Sequence, residues 1–363
     1  MMEPLVSVII PVYHQAKDEG SREALEKGIA KVLRQSYRSL DILLVENGDQ
    51  GDERLCDEIA TENERVRAVH YPESISIGEA RAKGIDSAEG EYITFLDADD
   101  SFYDDDSIKR MVELITASDG DVLVGDYCRL MGGRLVEARP HGFNEDTDVH
   151  TGDFRFRGFF SGGHLAYLWG KLYKMSYIRE QGLTTADVTY GEDKSFSMCL
   201  YAAMPHYVFT GERFYIYTAN ASSESHIYRQ DYREQWMGVT RHFEDYIKSR
   251  GLDEAYLDLS SYTILFSLIF HAKQEYENAD GLSQLAAMKR AVRGYYDDPY
   301  CRRLIGDIAK KRYAFKIKSL SYRFGVRILA GMVSLNLTGL ISFLLFILFS
   351  LGVDKKHSST GSN

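Results

Sequence analysis

The chain reads as an α/β protein, a mostly parallel sheet flanked by helices and followed by a helical C-terminal region. Two observations predict this. Apolar β-type runs alternate with helix-periodic runs over roughly the first hundred residues, the pattern of βαβ units. From residue 232 onward only helical periodicity remains, over 232–250, 255–277 and 282–295.

Each element has its own signal. Residues 5–12 form a buried strand that ends at Pro11-Val12-Tyr13. Residues 22–35 place Leu25, Ile29, Val32 and Leu33 on one helical face. Residues 41–45 give a second strand, ended by Glu46-Asn47-Gly48-Asp49. A helix over 53–62, a strand over 66–70, a helix over 77–88 and a strand over 92–96 follow. Right-handed crossovers then gather Pro11 to Tyr13, Glu46-Asn47 and Asp97 to Asp100 on one sheet edge, where such sheets bind ligands. Beyond it the chain predicts a helix over 108–117, a strand over 122–127 and a hairpin turn at Gly132-Gly133. A loop-rich stretch over 139–160 and an aromatic segment with Trp169-Gly170-Lys171 come next. Gly191-Glu192-Asp193 opens a helix, and 207–217 gives one or two strands.

Composition narrows the function. The net charge of −11 over 363 residues excludes a nucleic-acid binder, which needs excess Lys and Arg. Cys56, Cys128, Cys199 and Cys301 are far apart in sequence and read as reduced core thiols. The N-terminus has no basic region and no apolar run long enough for a signal peptide. Residues 328–353 carry no charge and exceed the roughly 20 residues needed to span a bilayer. Basic residues precede the stretch, from Lys310 to Arg327. The expectation is a single C-terminal membrane anchor, with the large part on the cytoplasmic face of the cell membrane. Ser334, Asn336 and Thr338 leave two alternatives open, an interfacial helix or one packed on the globular part. The segment 310–327 reads as a basic amphipathic helix on an anionic leaflet, or as one packed on the acidic domain. The expected organisation is a catalytic domain over 1–225, with halves 1–105 and 106–225, and a helical extension over 226–309. The basic segment, the membrane helix over 328–353 and a flexible tail over 354–363 complete it.

The most informative stretch is Glu91-Tyr92-Ile93-Thr94-Phe95-Leu96-Asp97-Ala98-Asp99-Asp100. An apolar strand stops at three carboxylates within four residues. Such a cluster is costly unless a cation neutralises it, and a hard divalent metal carrying a phosphate is the natural partner. The alternative is capping of the next helix, a role Asp104 to Asp106 already fill.

These residues resemble a known family. Val6 to Tyr13, Val45-Glu46-Asn47-Gly48, Ala80-Arg81-Ala82-Lys83-Gly84, Gly90 to Asp100 and Gly191-Glu192-Asp193 look like family 2 glycosyltransferases of the GT-A, Rossmann-like fold, of the bacterial surface-polysaccharide type. The likeness runs in order over about residues 5 to 220. It implies transfer of a sugar from a nucleotide-diphosphate sugar to an acceptor hydroxyl with inversion. The acceptor it implies is a glycan or lipid-linked glycan at the membrane. By resemblance, Mg²⁺ or Mn²⁺ binds Asp99 first and Asp97 second, with Asp97 also reaching the ribose and Asp100 behind them. Pro11, Val12, Tyr13, Glu46, Asn47, Arg81, Asp97 and Ala98 would hold the nucleotide. The pair Glu192-Asp193 would supply the general base, with Asp193 preferred; favouring a helix N-terminus is the blander role for the pair. Lys171 and Trp169 match a Trp-x-Lys element of the cleft, or else Lys171 is a surface lysine packed on Trp169. His226 either reaches over the diphosphate or sits in an exposed loop. The family usually has two Asp where this chain has Glu46-Asn47, and Asn where it has Ala82. Asn47 still suits a uracil edge, so a UDP-sugar is favoured. Two rivals stand beside this reading: a metal-dependent nucleotidyltransferase, which would want a Gly-rich basic loop after the first strand, and a catalytically impaired scaffold.

Overall fold

The computed structural model describes residues 3–352 except 14, 49, 220–226, 253, 280 and 311–316. The chain folds as two compact units: Met1–Thr147 with Gly162–Ser223, and Asp148–Ser161 with Glu224–Asn363.

The first unit is built on a nine-stranded sheet. Its strands are β1 (Val6–Val12), β2 (Leu40–Glu46), β3 (Val66–Val69), β4 (Tyr92–Phe95), β5 (Ser101–Phe102), β6 (Val122–Met131), β7 (Arg134–Glu137), β8 (Lys171–Lys174) and β9 (Tyr207–Thr218). The order is β3-β2-β1-β4-β8-β6-β9-β5, with β7 beside β6. The parallel block β3-β2-β1-β4 is the predicted one. Past it, β8 runs antiparallel to both β4 and β6, so the sheet is mixed rather than mostly parallel. The cause is connectivity: the chain leaves β4 through the acidic turn and re-enters from the other end.

Strand pleating sorts the helices. Val6, Val8, Ile10 and Val12 share a core with Leu25, Ile29 and Val32 of α1 (Glu19–Leu33), Leu55 and Cys56 of α2 (Gln50–Glu62), and Met111 of α4 (Ser107–Ala117). Ile9 faces the opposite side. A Cβ added to Gly84 of α3 (Ile77–Ser87) would lie 2.5 Å from its Cγ2, so α3 covers that face at close range. All four cysteines are buried free thiols, as the spacing predicts. Residues 139–151 are irregular, and 152–161 then turn helical as α5 (Gly152–Phe156) and one π-helical turn. α6 (Met175–Gln181) and α7 (Glu192–Ala202) complete the α/β unit.

The second unit also holds α8 (Tyr232–Arg250), α9 (Asp258–Asn278), α10 (Leu282–Asp297), α11 (Pro299–Ala309), α12 (Leu320–Ser334) and α13 (Thr338–Ser350). Here the expectation of a membrane anchor is overturned. Among the described residues no helix is long and apolar enough to cross a membrane. The apolar run is broken at Leu335–Leu337, where Asn336 takes φ +57°. What remains is 15 residues in α12 and 13 in α13. Ala330, Val333, Ile341 and Phe349 belong to the core of this unit. The single basic helix expected over 310–327 is also absent, because 317–319 are non-helical between α11 and α12. Residues 311–316 and the tail 353–363 lie outside the described residues.

Docking of α13 makes a contrast. Ile341 is 1% exposed and Phe343 49% exposed. Ile341→Ala should cost about 2–5 kcal/mol in urea unfolding. Phe343→Ala should stay within about 0.5 kcal/mol. Equal effects would mean that α13 is not seated as described.

Candidate active site

Three strand ends meet at one sheet edge. Val12 pairs with Glu46, while β4 stops at Phe95 opposite Ile9, three residues short of the end of β1. That gap is where Leu96 to Asp100 sweep across the edge. Leu96 N–H donates to Ile9 O at 3.0 Å, and Asp100 N–H closes the turn on Asp97 O at 3.0 Å.

The turn is held from behind by a residue that sequence reasoning missed. The Tyr215 hydroxyl donates to Asp100 Oδ2 at 2.6 Å and accepts from Asp97 N–H at 3.2 Å. Thr218 N–H donates to Asp100 Oδ1 at 2.7 Å. Burial, with Asp97 and Asp99 nearby, pushes the Asp100 carboxyl well above the usual carboxylate range. Asp100 is therefore committed to the scaffold. Asp97 and Asp99, both half-buried with Ala98 between them, face outward more than Asp100 does. No sequence signal marks Tyr215, because its role depends on β9 reaching this edge beside β5 and β6.

Glu192 and Asp193 sit in the first turn of α7, after Gly191 at φ +88°. Arg81, 3% exposed, joins them to the β4 turn. Its Nη2 lies 2.6 Å from Asp97 Oδ1, and its Nη1 donates to both Glu192 Oε1 and Asp193 Oδ1. Burial works against its charge, but Asp193, Asp97 and Glu192 outweigh it and hold its pKa above the ordinary value. Burial likewise pushes Asp193 up to about 8; Arg81 pulls it down, and Glu192 and Asp97 push it up. Its side chain is 20% exposed, so it still meets solvent. One guanidinium against these carboxylates leaves negative charge in excess when all are ionised. Among the described residues no three ligating groups converge as a ready-made metal cluster. Excess negative charge without a protein cage suits a cation held by one or two carboxylates and completed by phosphate oxygens.

The other predicted residues are placed as follows. Pro11 and Val12 are buried at the end of β1, and Tyr13 is 40% exposed beyond it. Ala16 N–H donates to Asp52 Oδ1 at 2.7 Å, which fixes the loop after β1 from α2. Glu46 is spent on backbone: it accepts from Gly48 N–H at 2.7 Å and Tyr71 N–H at 2.8 Å. Asn47 is buried, and its Oδ1 makes no hydrogen bond. Lys171 is not a surface lysine. It is 3% exposed, donates to Tyr167 O, and is pushed down to about 7 by burial. Trp169 has both ring faces covered, by Tyr167 at 4.5 Å and Tyr215 at 4.5 Å. His226 lies outside the described residues, as does Asn220-Ala221-Ser222.

A mixed α/β sheet of this order, with an acidic turn at its carboxyl edge, defines a GT-A-like fold followed by a helical region. Residues 7–175 match the family described as glycosyl transferase family 2, and the chain carries a family 2 glycosyltransferase domain. It is 31% identical over 127 residues to glycosyltransferase GlyG of Streptococcus pneumoniae, covering 35% of this chain and 40% of that protein. It is 26% identical over 238 residues to the uncharacterized glycosyltransferase EpsJ of Bacillus subtilis, covering 62% and 64%. The chain thus spans between 40% and 64% of the length of these relatives. Among solved structures, S. aureus TarS 1–349 in complex with UDP-GlcNAc superposes with a TM-score of 0.67 at 16% identity, covering 96% of this chain and 92% of that one. At that identity the likeness speaks for the fold alone.

Tyr215→Phe removes one of the two donors to the buried Asp100 and the acceptor of Asp97 N–H. It should destabilise the protein by about 1–3 kcal/mol in thermal unfolding. A variant as stable as wild type would show that the turn is held some other way.

Proposed function

We propose that this chain is a metal-dependent, inverting glycosyltransferase. It moves a sugar from a nucleotide-diphosphate sugar, with a UDP-sugar favoured, to an acceptor hydroxyl on a lipid-linked glycan in polysaccharide biosynthesis. The observation that carries the reading is the meeting of two acidic ends on Arg81, Asp97 of the turn after β4 and Glu192-Asp193 at the start of α7.

Each group has a chemical task. Asp99, with Asp97, would hold Mg²⁺ or Mn²⁺, which when bound offsets charge on the departing diphosphate. Asn47 offers its unpartnered acceptor to the base edge. The acceptor oxygen forms the new bond to the anomeric carbon as the bond to the diphosphate oxygen breaks. Asp193 takes the hydroxyl proton onto its carboxylate, and inversion follows from attack on the face opposite the leaving group. A raised carboxyl pKa suits a base that works near neutral pH. The UDP-sugar preference is supported by Asn47, whose amide suits a uracil edge.

The direct test is hydrolysis of UDP-GlcNAc in the presence of Mn²⁺, abolished by Asp99→Ala. Asp193→Asn should lower transfer by about 10³-fold and leave UDP binding near wild type. Wild-type transfer in that variant would sink the assignment of the base. Because a base acts deprotonated, kcat should rise with pH through about 8 and level off above it. A profile already flat from pH 6 would place the proton elsewhere.

A further inference from the structure

Arg81 links acidic groups far apart in sequence: Asp97 lies 16 residues on, Glu192 111 and Asp193 112. Its terminal nitrogens divide the work, Nη2 on the β4 turn and Nη1 on the start of α7. Nε makes no hydrogen bond. A guanidinium is planar and permanently charged, so two fixed nitrogens also fix the spacing of what they hold.

The helix that carries Arg81 is locked to the segment that carries Asp193. Gly78 N–H donates to Val188 O at 3.2 Å, and the Thr185 hydroxyl donates to Gly78 O at 2.5 Å. Ser76 Oγ, the N-cap of α3, donates to Asp187 Oδ1 at 2.6 Å. A Cβ on Gly78 would stand 2.0 Å from Ala186 O, so nothing larger than glycine allows this approach. Ser195 Oγ, accepting from Ala186 N–H at 2.8 Å, ties the same segment to α7. The distance between Arg81 and Asp193 is therefore set by packing before any substrate arrives.

We propose that Arg81 is a positioning residue of the transfer reaction, aiming the Asp193 carboxylate and holding it at fixed distance from the Asp97 turn. This deepens, and rests on, the glycosyltransferase reading above. The charged groups that act on Asp193 are Arg81 from α3, Glu192 beside it and Asp97 after β4; Asp193 in turn acts on Lys171 and Tyr173 of β8 and on Tyr167 before β8. Arg81 is the one that contacts both ends of the site. A lysine would supply charge at a single point and could not span them.

The experiment compares wild type and Arg81→Lys with a panel of UDP-, GDP- and dTDP-sugars and Mn²⁺. It reads kcat, KM for the donor, and the pH profile of kcat. The expected result for Arg81→Lys is a fall in kcat of about 100-fold with donor KM within about threefold. The acid limb should move up by about one pH unit, because losing a nearby cation contact raises a carboxyl pKa. A large rise in KM with kcat unchanged would make Arg81 a donor-binding group and overturn the inference, as would a wild-type profile. If Arg81→Lys fails to fold, Glu192→Gln is read instead. It leaves Arg81 one carboxylate fewer to share, so the acid limb should move down, and an unmoved limb overturns the inference. No turnover by wild type with any donor defeats the glycosyltransferase reading itself and this inference with it.

Discussion

A single buried guanidinium, that of Arg81, joins the two acidic ends of the candidate site. Arg81 is itself buried, and it meets the part-exposed Asp97 and Asp193 and the buried Glu192. Carboxylates gathered this way repel one another and lose hydration, and only a contacting cation makes the arrangement tolerable. The rest of the unit serves that contact. Gly78 lets α3 approach the segment before α7, Gly84 lets it approach β1, and the register of β1 with β4 brings Asp97 within reach. Full neutralisation is not reached. The remaining negative charge would suit a divalent cation arriving with a diphosphate, the role proposed above.

The candidate site also separates carboxylates spent on backbone and hydroxyl partners from those left part-exposed. Asp100 is consumed by Tyr215 and Thr218, and Glu46 by Gly48 and Tyr71. Asp97 and Asp99 face outward, and Asp193 keeps contact with solvent. Residues of the same type within four positions thus do different work because their partners differ. The sequence motif alone does not distinguish them.

What could be read in advance follows the range of the interactions. The parallel block was legible because strand and helix periodicities are local, and β1 to β4 with α1 to α3 fall close to where the pattern puts them. The acidic turn and Glu192-Asp193 were legible as motifs. Their bond through Arg81 was not, since Arg81 matches a nucleotide-contacting position by resemblance and its true partners lie up to 112 residues away. Lys171 went inside because β8 is central, flanked by β4 and β6. The C-terminal stretch misled for a simple reason. Mean hydropathy measures apolar content along the sequence, while Asn336 in a left-handed conformation turns the chain and lets two short helices cover a core instead.

The aromatic stack behind the acidic turn has a practical consequence. The chain has two tryptophans, and Trp169 lies flat on Tyr215, whose hydroxyl bridges Asp97 and Asp100. The indole is thus one ring away from the residues that would meet a diphosphate. Its fluorescence is a built-in optical reporter of that turn, readable without label or coupled assay. The other tryptophan, Trp236, sits in the helical unit.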